Sequence, residues 1–295
     1  SFFSEIDKHA IAVYKHQFPN STYVGSVTNV RGADLPRIDL ITFGSPCQDF
    51  SLAGKRKGME GDRSSLVLEA IRLIGECRPR VFIWENVKGT FSSNNGEDFA
   101  AILQAFTNIG GYRLEWQLLN TSWFLPQNRE RIYLVGYSTT TKRNWRGVFP
   151  IGEGNQSNSE LECSRKAITK CLTARGQEGH AGMQLVKVKQ IGTKLDSNGG
   201  TQPYQQDRVY DAEGIVPALN QGKSDLIIKN NYRIRRLTPI ECERLQGFPD
   251  NHTAFGNYDG QVKPMSNTQR YKQCGNAVTV DVVQAVAEQC KPLFK

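Results

Sequence analysis

Apolar positions in the first 138 residues alternate between the spacing of strands and the spacing of helices. Short continuous apolar runs, which are typical of buried strands, occur at 2–3, 38–43, 81–84, 112–119 and 131–137. Apolar residues at helical spacing occupy 7–18, 65–77 and 98–109. This alternation predicts an α/β fold built from βαβ units, with a mostly parallel sheet. Such sheets bind ligands at the carboxyl ends of their strands.

The pattern changes after about residue 139, where the chain becomes rich in Gly, Ser, Asn, Gln and Lys. Regular structure is predicted again where Thr238, Pro239 and Glu241 form a helix-start signal. An amphipathic helix near the end needs a large apolar partner, and we expect it to pack on the first sheet. We therefore predict one domain from 1–138 plus about 265–295, and a smaller, loop-rich domain at about 139–264. A recognition surface and a decorative insertion both remain open for the second domain.

Composition limits the class of protein further. The 295 residues carry a formal net charge of +8, which favours a polyanionic partner, although solubility alone also explains it. No apolar run approaches the roughly 20 residues of a membrane span, and no signal peptide opens the sequence. The seven cysteines are irregularly spaced without a C-x-x-C pair. We therefore predict no metal site, no disulfide framework, and a reducing cytoplasmic location.

Reactive side chains collect at three predicted strand ends. Cys47 follows the run at 38–43, Glu85 follows the run at 81–84, and Arg129 and Arg131 surround the start of the last strand. Cationic neighbours lower the pKa of a thiol and favour the nucleophilic thiolate, while a carboxylate beside them can transfer a proton. Each residue has a plain structural explanation by itself, but together they predict an active site at one sheet edge.

Glu5 follows the first apolar run and is a candidate for binding ribose hydroxyls. In nucleotide-binding βαβ units, such an acidic residue lies about 20 residues beyond a glycine-rich turn. We therefore expect the first strand and its glycine turn to precede residue 1, absent either from the residues given or from the natural protein.

Several motifs together resemble those of the bacterial restriction-modification type of DNA (cytosine-5) methyltransferase. "GSPCQDFS" resembles the nucleophile loop of that family, "ENV" its catalytic glutamate motif, and "QNRER" its paired-arginine motif. "RRLTPIECERLQGFPD" resembles the motif that supports the recognition domain, and "YKQCGNAVTV" the last cofactor-binding motif. "DRSSL" resembles the segment near the cofactor's adenine. The resemblance covers almost everything outside 139–230.

The resemblance implies a Rossmann-like S-adenosylmethionine-dependent methyltransferase sheet with a target-recognition domain. It implies transfer of a methyl group from S-adenosyl-L-methionine to C5 of a flipped cytosine in a specific double-stranded DNA sequence, leaving S-adenosyl-L-homocysteine. Cys47 would add to C6 and Glu85 would bind N3. Arg131 would hold the base carbonyl while Arg129 pairs with acidic groups, and which arginine takes which role stays open.

The same resemblance implies a set of cofactor-binding residues. The cofactor set is Glu5, Ile6, Ser26, Pro46, Leu66 and Asn276. In this set, Ser26 stands where many family members carry aspartate, and Ile6 stands where an aromatic residue is common. A DNA-binding set follows from side-chain chemistry in three regions. The basic, glycine-containing loop gives Gln48, Ser51, Lys55, Arg56 and Lys57, and two glycine loops give Arg175 and Gln177, and Asn220 and Gln221. A monomer, with or without a cognate restriction endonuclease, is expected. A transfer-RNA cytosine methyltransferase and a silent DNA-binding homologue are the alternatives.

Overall fold

The structure is a computed structural model. It describes residues 1–45, 65–140, 147–152, 190–193, 208–211, 216–217, 227–229 and 234–295. Within these ranges, the helices are α1 Lys8–Gln17, α2 Ser65–Cys77, α3 Glu97–Asn108, α4 Pro239–Leu245, α5 Asn267–Asn276 and α6 Val280–Cys290. Single 3₁₀ turns cover Val27–Asn29, Gly32–Asp34, Lys88–Phe91, Ser93–Gly96, Thr121–Trp123 and Lys291–Phe294.

Five strands of the described part coincide, within a few residues, with the five apolar runs of the sequence. In chain order they are β1 Phe2–Phe3, β2 Thr22–Tyr23, β3 Leu40–Gly44, β4 Val81–Val87, β5 Tyr112–Asn120, β6 Gln127–Asn128, β7 Glu130–Ser138, β8 Gln190–Thr193, β9 Arg208–Asp211, β10 Val216–Pro217, β11 Ile227–Lys229, β12 Ile234–Arg236, β13 Phe255–Tyr258 and β14 Gln261–Pro264. The strand β4 is longer than its apolar run, so Glu85 lies inside the strand rather than just after it.

The main sheet has the strand order β3-β4-β7-β5 and is mixed rather than mostly parallel. Strand β3 runs parallel to β4, whereas β7 is antiparallel to both β4 and β5. The connection from β5 to β7 explains the reversal. It spans only residues 121–129, whereas a parallel crossover needs a dozen or more residues.

Helices cover both faces of this sheet because its central strands are apolar on both sides. One face packs Phe82, Trp84 and Leu134 against α2 and α3. The other face packs Val81, Ile83 and Val135 against α6, which contributes Val282, Val286 and Cys290. This confirms that the last helix returns to the first sheet. Fully buried Trp84 and Phe82 mark the centre of the core.

Two helix starts follow the capping rules closely. The Asp7 side chain accepts hydrogen bonds from the backbone N–H groups of His9 and Ala10, which begins α1 just after β1. Thr238 and Glu241 form the predicted capping box of α4, with Pro239 in its first turn. Both signals are local in sequence. The capping box was predicted and is confirmed, whereas Asp7 was predicted only as the start of a helical pattern.

Smaller sheets surround the main one. Strands β1 and β2 pair in parallel, and β13 and β14 form an antiparallel hairpin. In the loop-rich region, β8, β9, β11 and β12 form a sheet in the order β12-β11-β9-β8. Strand β10 pairs in parallel with β6, so the loop-rich region is hydrogen-bonded to the segment that leads into Arg129.

Candidate active site

An ion pair between Glu85 and Arg131 lies at the carboxyl-terminal part of β4. The Nε of Arg131 lies 3.1 Å from Oε1 of Glu85, and each side chain is only 18% exposed. The register explains their proximity, because β7 pairs Arg131 with Val87 and Tyr133 with Glu85. Strand β3 runs alongside, with Gly44 opposite Glu85. The sheet thus brings the predicted carboxylate and one predicted arginine together.

Burial governs the protonation of this pair. Removal from water raises the pKa of Glu85 above its usual range, and the positive charges of Arg131 and Arg129 oppose this rise only in part. The carboxyl group is therefore more easily protonated than an exposed glutamate. A proton held this way can be passed to a ring nitrogen, which is what general acid catalysis requires.

Arg129 is almost completely buried and contacts the carboxyl-terminal helices. Its Nη2 donates to the backbone oxygens of Ala277 at 2.8 Å and Gly275 at 3.3 Å, on either side of Asn276. Its Nε and Nη1 have no hydrogen-bond partner among the described residues. Burial, with repulsion from Arg131, lowers the pKa of Arg129 to about 10. The family resemblance suggested that Arg129 pairs with an acidic group, without deciding between the two arginines. Among the described residues, Arg131 is the one that pairs with Glu85.

Further buried contacts fix the same segment. Gln127 is fully buried and donates from Nε2 to the backbone oxygen of Leu245 at 2.9 Å. The hydroxyls of Thr121 and Thr279 are hydrogen-bonded at 2.8 Å. The connection between β5 and β7 therefore holds the α4 end and the α5–α6 junction against the main sheet.

The end of β3 is held by side chains of β4. Trp84 Nε1 donates to Ser45 Oγ at 3.0 Å, and Asn86 Nδ2 donates to the same oxygen at 3.0 Å. A side chain at Gly44 would begin only 3.1 Å from Oε2 of Glu85, so glycine leaves room for the carboxylate. Sequence reasoning missed Ser45 and Trp84, and only the position of Asn86 beside Glu85 offered a signal.

Candidate cofactor residues meet at the carboxyl ends of β1 and β2. Glu5 follows β1 and accepts through Oε1 from the backbone N–H groups of Ile6 at 2.7 Å and Asp7 at 3.0 Å. Ser26 follows β2, and a hydrogen bond of 2.7 Å from Ser4 Oγ to the Gly25 oxygen joins the two strand ends. Ile6 is 79% exposed, so an apolar side chain stands in solvent beside the Glu5 carboxylate.

The remaining described candidates lie on other elements. Leu66 is half-buried in the first turn of α2, and Asn276 is exposed at the end of α5. Arg72 of α2 donates to the backbone oxygens of Val27 and Val30, which ties the loop after Ser26 to that helix. No local sequence pattern points to Arg72, because these partners are more than 40 residues away along the chain.

All nine DNA-binding candidates lie outside the described residues: Gln48, Ser51, Lys55, Arg56, Lys57, Arg175, Gln177, Asn220 and Gln221. The predicted nucleophile Cys47 and the cofactor candidate Pro46 also lie outside them. The structure describes the chain up to Ser45, two residues before Cys47.

Comparison with known proteins identifies the family. The sequence profile described as C-5 cytosine-specific DNA methylase matches residues 1–292. The chain is 34% identical over 292 residues to the Type II methyltransferase M1.ScrFI of Lactococcus lactis subsp. cremoris, covering 98% of this chain and 71% of that protein. It is 32% identical over 293 residues to the Type II methyltransferase M.NlaX of Neisseria lactamica, covering 98% and 88%. The S. pombe Dnmt2 methyltransferase has a similar fold, with a TM-score of 0.66, 20% identity and coverage of 99% and 91%.

The mixed α/β sheet with helices on both faces is the fold of an S-adenosylmethionine-dependent methyltransferase. The chain belongs to the C-5 cytosine-specific DNA methylase family, and it is a DNA (cytosine-5-)-methyltransferase that acts on duplex DNA. The resemblance and fold class predicted from the sequence are thus confirmed. None of the helices in the described ranges is long and apolar enough to cross a membrane.

Proposed function

We propose that this enzyme transfers a methyl group from S-adenosyl-L-methionine to C5 of a flipped cytosine within a specific duplex sequence, through a covalent bond between Cys47 and C6. The buried pair of Glu85 and Arg131 beside the end of β3 carries the proposal. Glu85 is a proton donor with a raised pKa, and Arg131 is a fixed cation beside it. Both lie next to β3, the strand that leads to Cys47.

Each residue has a chemical task in this scheme. The Cys47 thiolate adds to C6 while Glu85 gives a proton or hydrogen bond to N3, which makes C5 electron-rich. Arg131 binds the base carbonyl and keeps Glu85 oriented. When bound, S-adenosylmethionine supplies the methyl group that C5 attacks. Loss of the C5 proton then breaks the bond between C6 and Cys47 and restores the ring. A base inside the duplex cannot be reached this way, so it must be extruded at a cost of a few kcal/mol.

The described candidate residues fit the cofactor's chemistry. The Glu5 carboxylate suits ribose hydroxyls, and exposed Ile6 offers an apolar surface for adenine. Ser26 supplies a hydroxyl at the neighbouring strand end, and we assign Leu66 to the adenine side. Pro46 and Asn276 complete the proposed set, the latter between the two carbonyls that Arg129 holds.

The proposed DNA side consists of two parts. Lys55, Arg56 and Lys57 bind phosphates as the glycine-containing loop closes, and Gln48 and Ser51 line the space left by the flipped base. The residues proposed to read base edges in the major groove are Arg175, Gln177, Asn220 and Gln221. The pairing of β10 with β6 supports this, since it joins the stretch just before Asn220 to the arginine motif.

We also propose the division into a catalytic domain of 1–138 with about 265–295 and a recognition domain of about 139–264. Val148 and Ile151 pack in the core of the main sheet, which favours a boundary a few residues beyond 138. The names of the relatives favour a role in a Type II restriction-modification system, with a cognate endonuclease acting on the same site. We expect a cytoplasmic monomer.

The decisive experiment traps the covalent intermediate. Duplex DNA that contains 5-fluorocytosine at the target position, incubated with labelled S-adenosylmethionine, should give a stable adduct on the Cys47 peptide, because C5 can then lose no proton. Cys47→Ser should form no adduct and transfer no methyl group, while still binding DNA. An adduct on another cysteine, or near-normal turnover by Cys47→Ser, would reject the nucleophile assignment. A parallel assay with transfer RNA tests the substrate class.

A further inference from the structure

Ser45, the residue directly after β3, is bound by hydrogen bonds from two side chains of β4. Its Oγ accepts from Trp84 Nε1 at 3.0 Å and from Asn86 Nδ2 at 3.0 Å. Asn86 Nδ2 also lies 3.3 Å from the backbone oxygen of Ser45. Both the side chain and the backbone of Ser45 are therefore bound by the neighbouring strand. We call these three residues the Ser45 clamp.

The donors of the Ser45 clamp are fixed by the core. Trp84 is fully buried and Asn86 is 2% exposed. The Asn86 Oδ1 accepts from the backbone N–H of Val87 at 2.7 Å and from the hydroxyl of Thr90 at 3.3 Å. Because a backbone N–H can only donate, it fixes which end of the Asn86 amide is oxygen and directs the NH₂ group toward Ser45.

The clamp acts from the face of β4 opposite to Glu85. Successive side chains of a strand point to opposite faces, so Trp84 and Asn86 lie on one side and Glu85 on the other. The hydrogen bonds of the clamp thus do not compete with the ion pair of Glu85 and Arg131. The strand β4 therefore carries the proposed acid, Glu85, on one face and binds the residue that follows β3 from its other face.

We propose that Ser45 is a positioning residue for the nucleophile: the clamp sets the point and direction at which the chain leaves β3, two residues before Cys47. The proposal rests on the proposed function, in which Cys47 attacks C6. A nucleophile must start within a short distance of its target, and a misplacement of about 1 Å can cost about 100-fold in rate. Loss of the Ser45 hydroxyl removes the bond from Trp84 Nε1 and leaves Asn86 Nδ2 with the more distant backbone oxygen of Ser45, so the exit of β3 is held less tightly.

The test compares the rate of adduct formation on 5-fluorocytosine duplex at saturating DNA and S-adenosylmethionine, per folded enzyme. We expect Ser45→Ala to slow adduct formation by about 10- to 100-fold, and Trp84→Phe, which removes one donor, by about 2- to 10-fold. The double variant should be no slower than Ser45→Ala, since both changes remove the same bond. Ser45→Thr, which keeps the hydroxyl, should restore most of the rate.

Matched controls separate positioning from general effects. Ser92→Ala is the control for Ser45→Ala, because it removes an exposed hydroxyl. Trp116→Phe is the control for Trp84→Phe, because it makes the same change at a half-exposed indole. Neither control should alter the rate of adduct formation. Dissociation constants for DNA and S-adenosylmethionine should stay within about twofold in the clamp variants. A purely structural role would lower the thermal midpoint and leave the rate per folded molecule unchanged.

The outcomes are distinct. Unchanged adduct formation by folded Ser45→Ala overturns the clamp, even though wild-type trapping on Cys47 supports the proposed function. An adduct on another cysteine in the wild type overturns the proposed function instead. If Ser45→Ala does not fold, Trp84→Phe decides alone: a slower rate at unchanged DNA affinity supports the clamp, and an unchanged rate overturns it.

Discussion

A buried carboxylate in α4 offers a sharp test of what burial does to an ion pair. Glu243 is fully buried and accepts from the backbone N–H groups of Asn251 at 2.8 Å and Thr253 at 2.9 Å, and from the Thr253 hydroxyl. Arg270 Nη2 donates to it at 3.0 Å from α5. Burial by itself raises the pKa of Glu243, but the hydrogen bonds from Thr253 and Arg270 outweigh it and hold the pKa below its usual range.

The perturbation is Arg270→Met, with Arg244→Met as its control. Both arginines pair with a carboxylate in the same region, but the Arg270 side chain is 12% exposed and its partner 0%. Arg244 and its partner Asp250 are 64% and 46% exposed, although their contact of 2.6 Å is shorter. Removing one member of a buried pair costs about 3–5 kcal/mol, because the other charge stays buried without a counter-charge. Removing one member of an exposed pair costs far less, because water already screens the two charges.

The assay is urea denaturation at pH 7, followed by far-ultraviolet circular dichroism. We expect Arg270→Met to lose several times more unfolding free energy than Arg244→Met. Adding Glu243→Gln to Arg270→Met should recover part of the loss, because it removes the uncompensated charge. Equal losses in the two single variants would refute the reasoning, since distance rather than burial would then set the contribution of each pair.

Two further predictions concern the active site. The raised pKa of Glu85 means that the folded protein binds more protons than the unfolded chain above pH 4.5, the group's ordinary value. The unfolding free energy of the wild type, relative to that of Glu85→Gln, should therefore fall as pH rises from 4.5 through the raised pKa. Urea denaturation of both proteins at pH 5 and pH 8 measures this. An equal difference in unfolding free energy at the two pH values would contradict it. Glu5→Ala should weaken S-adenosylmethionine binding by about tenfold or more, through the loss of charged hydrogen bonds to ribose. Calorimetry measures this, and unchanged affinity removes Glu5 from the cofactor site.

Much of this fold could be predicted because its signals are local. The apolar run 81–84 predicts β4, and the capping box of Thr238 and Glu241 predicts the start of α4. The same run predicts Glu85 just beyond the strand, whereas β4 continues to Val87 and the carboxylate lies in the carboxyl-terminal part of the strand. The family motifs lie in short stretches, so they too could be read from the chain alone.

The predictions failed or stopped where partners are distant. Apolar periodicity does not give strand direction, so the antiparallel placement of β7 was missed. The contacts of Arg129 with backbone oxygens 146 and 148 residues away leave no local pattern. Neither does the Ser45 clamp, whose donors lie about 40 residues downstream.

The sequence by itself determined the apolar faces, the helix starts and the kinds of side chain available for chemistry. These depend on interactions between residues that are close along the chain, where spacing alone decides which face a side chain occupies. The tertiary structure decided that Arg131 rather than Arg129 pairs with Glu85, and that burial raises the pKa of that carboxyl group. Pairing and burial depend on which segments the sheet register and the packed helices bring together, and a linear pattern does not contain that information.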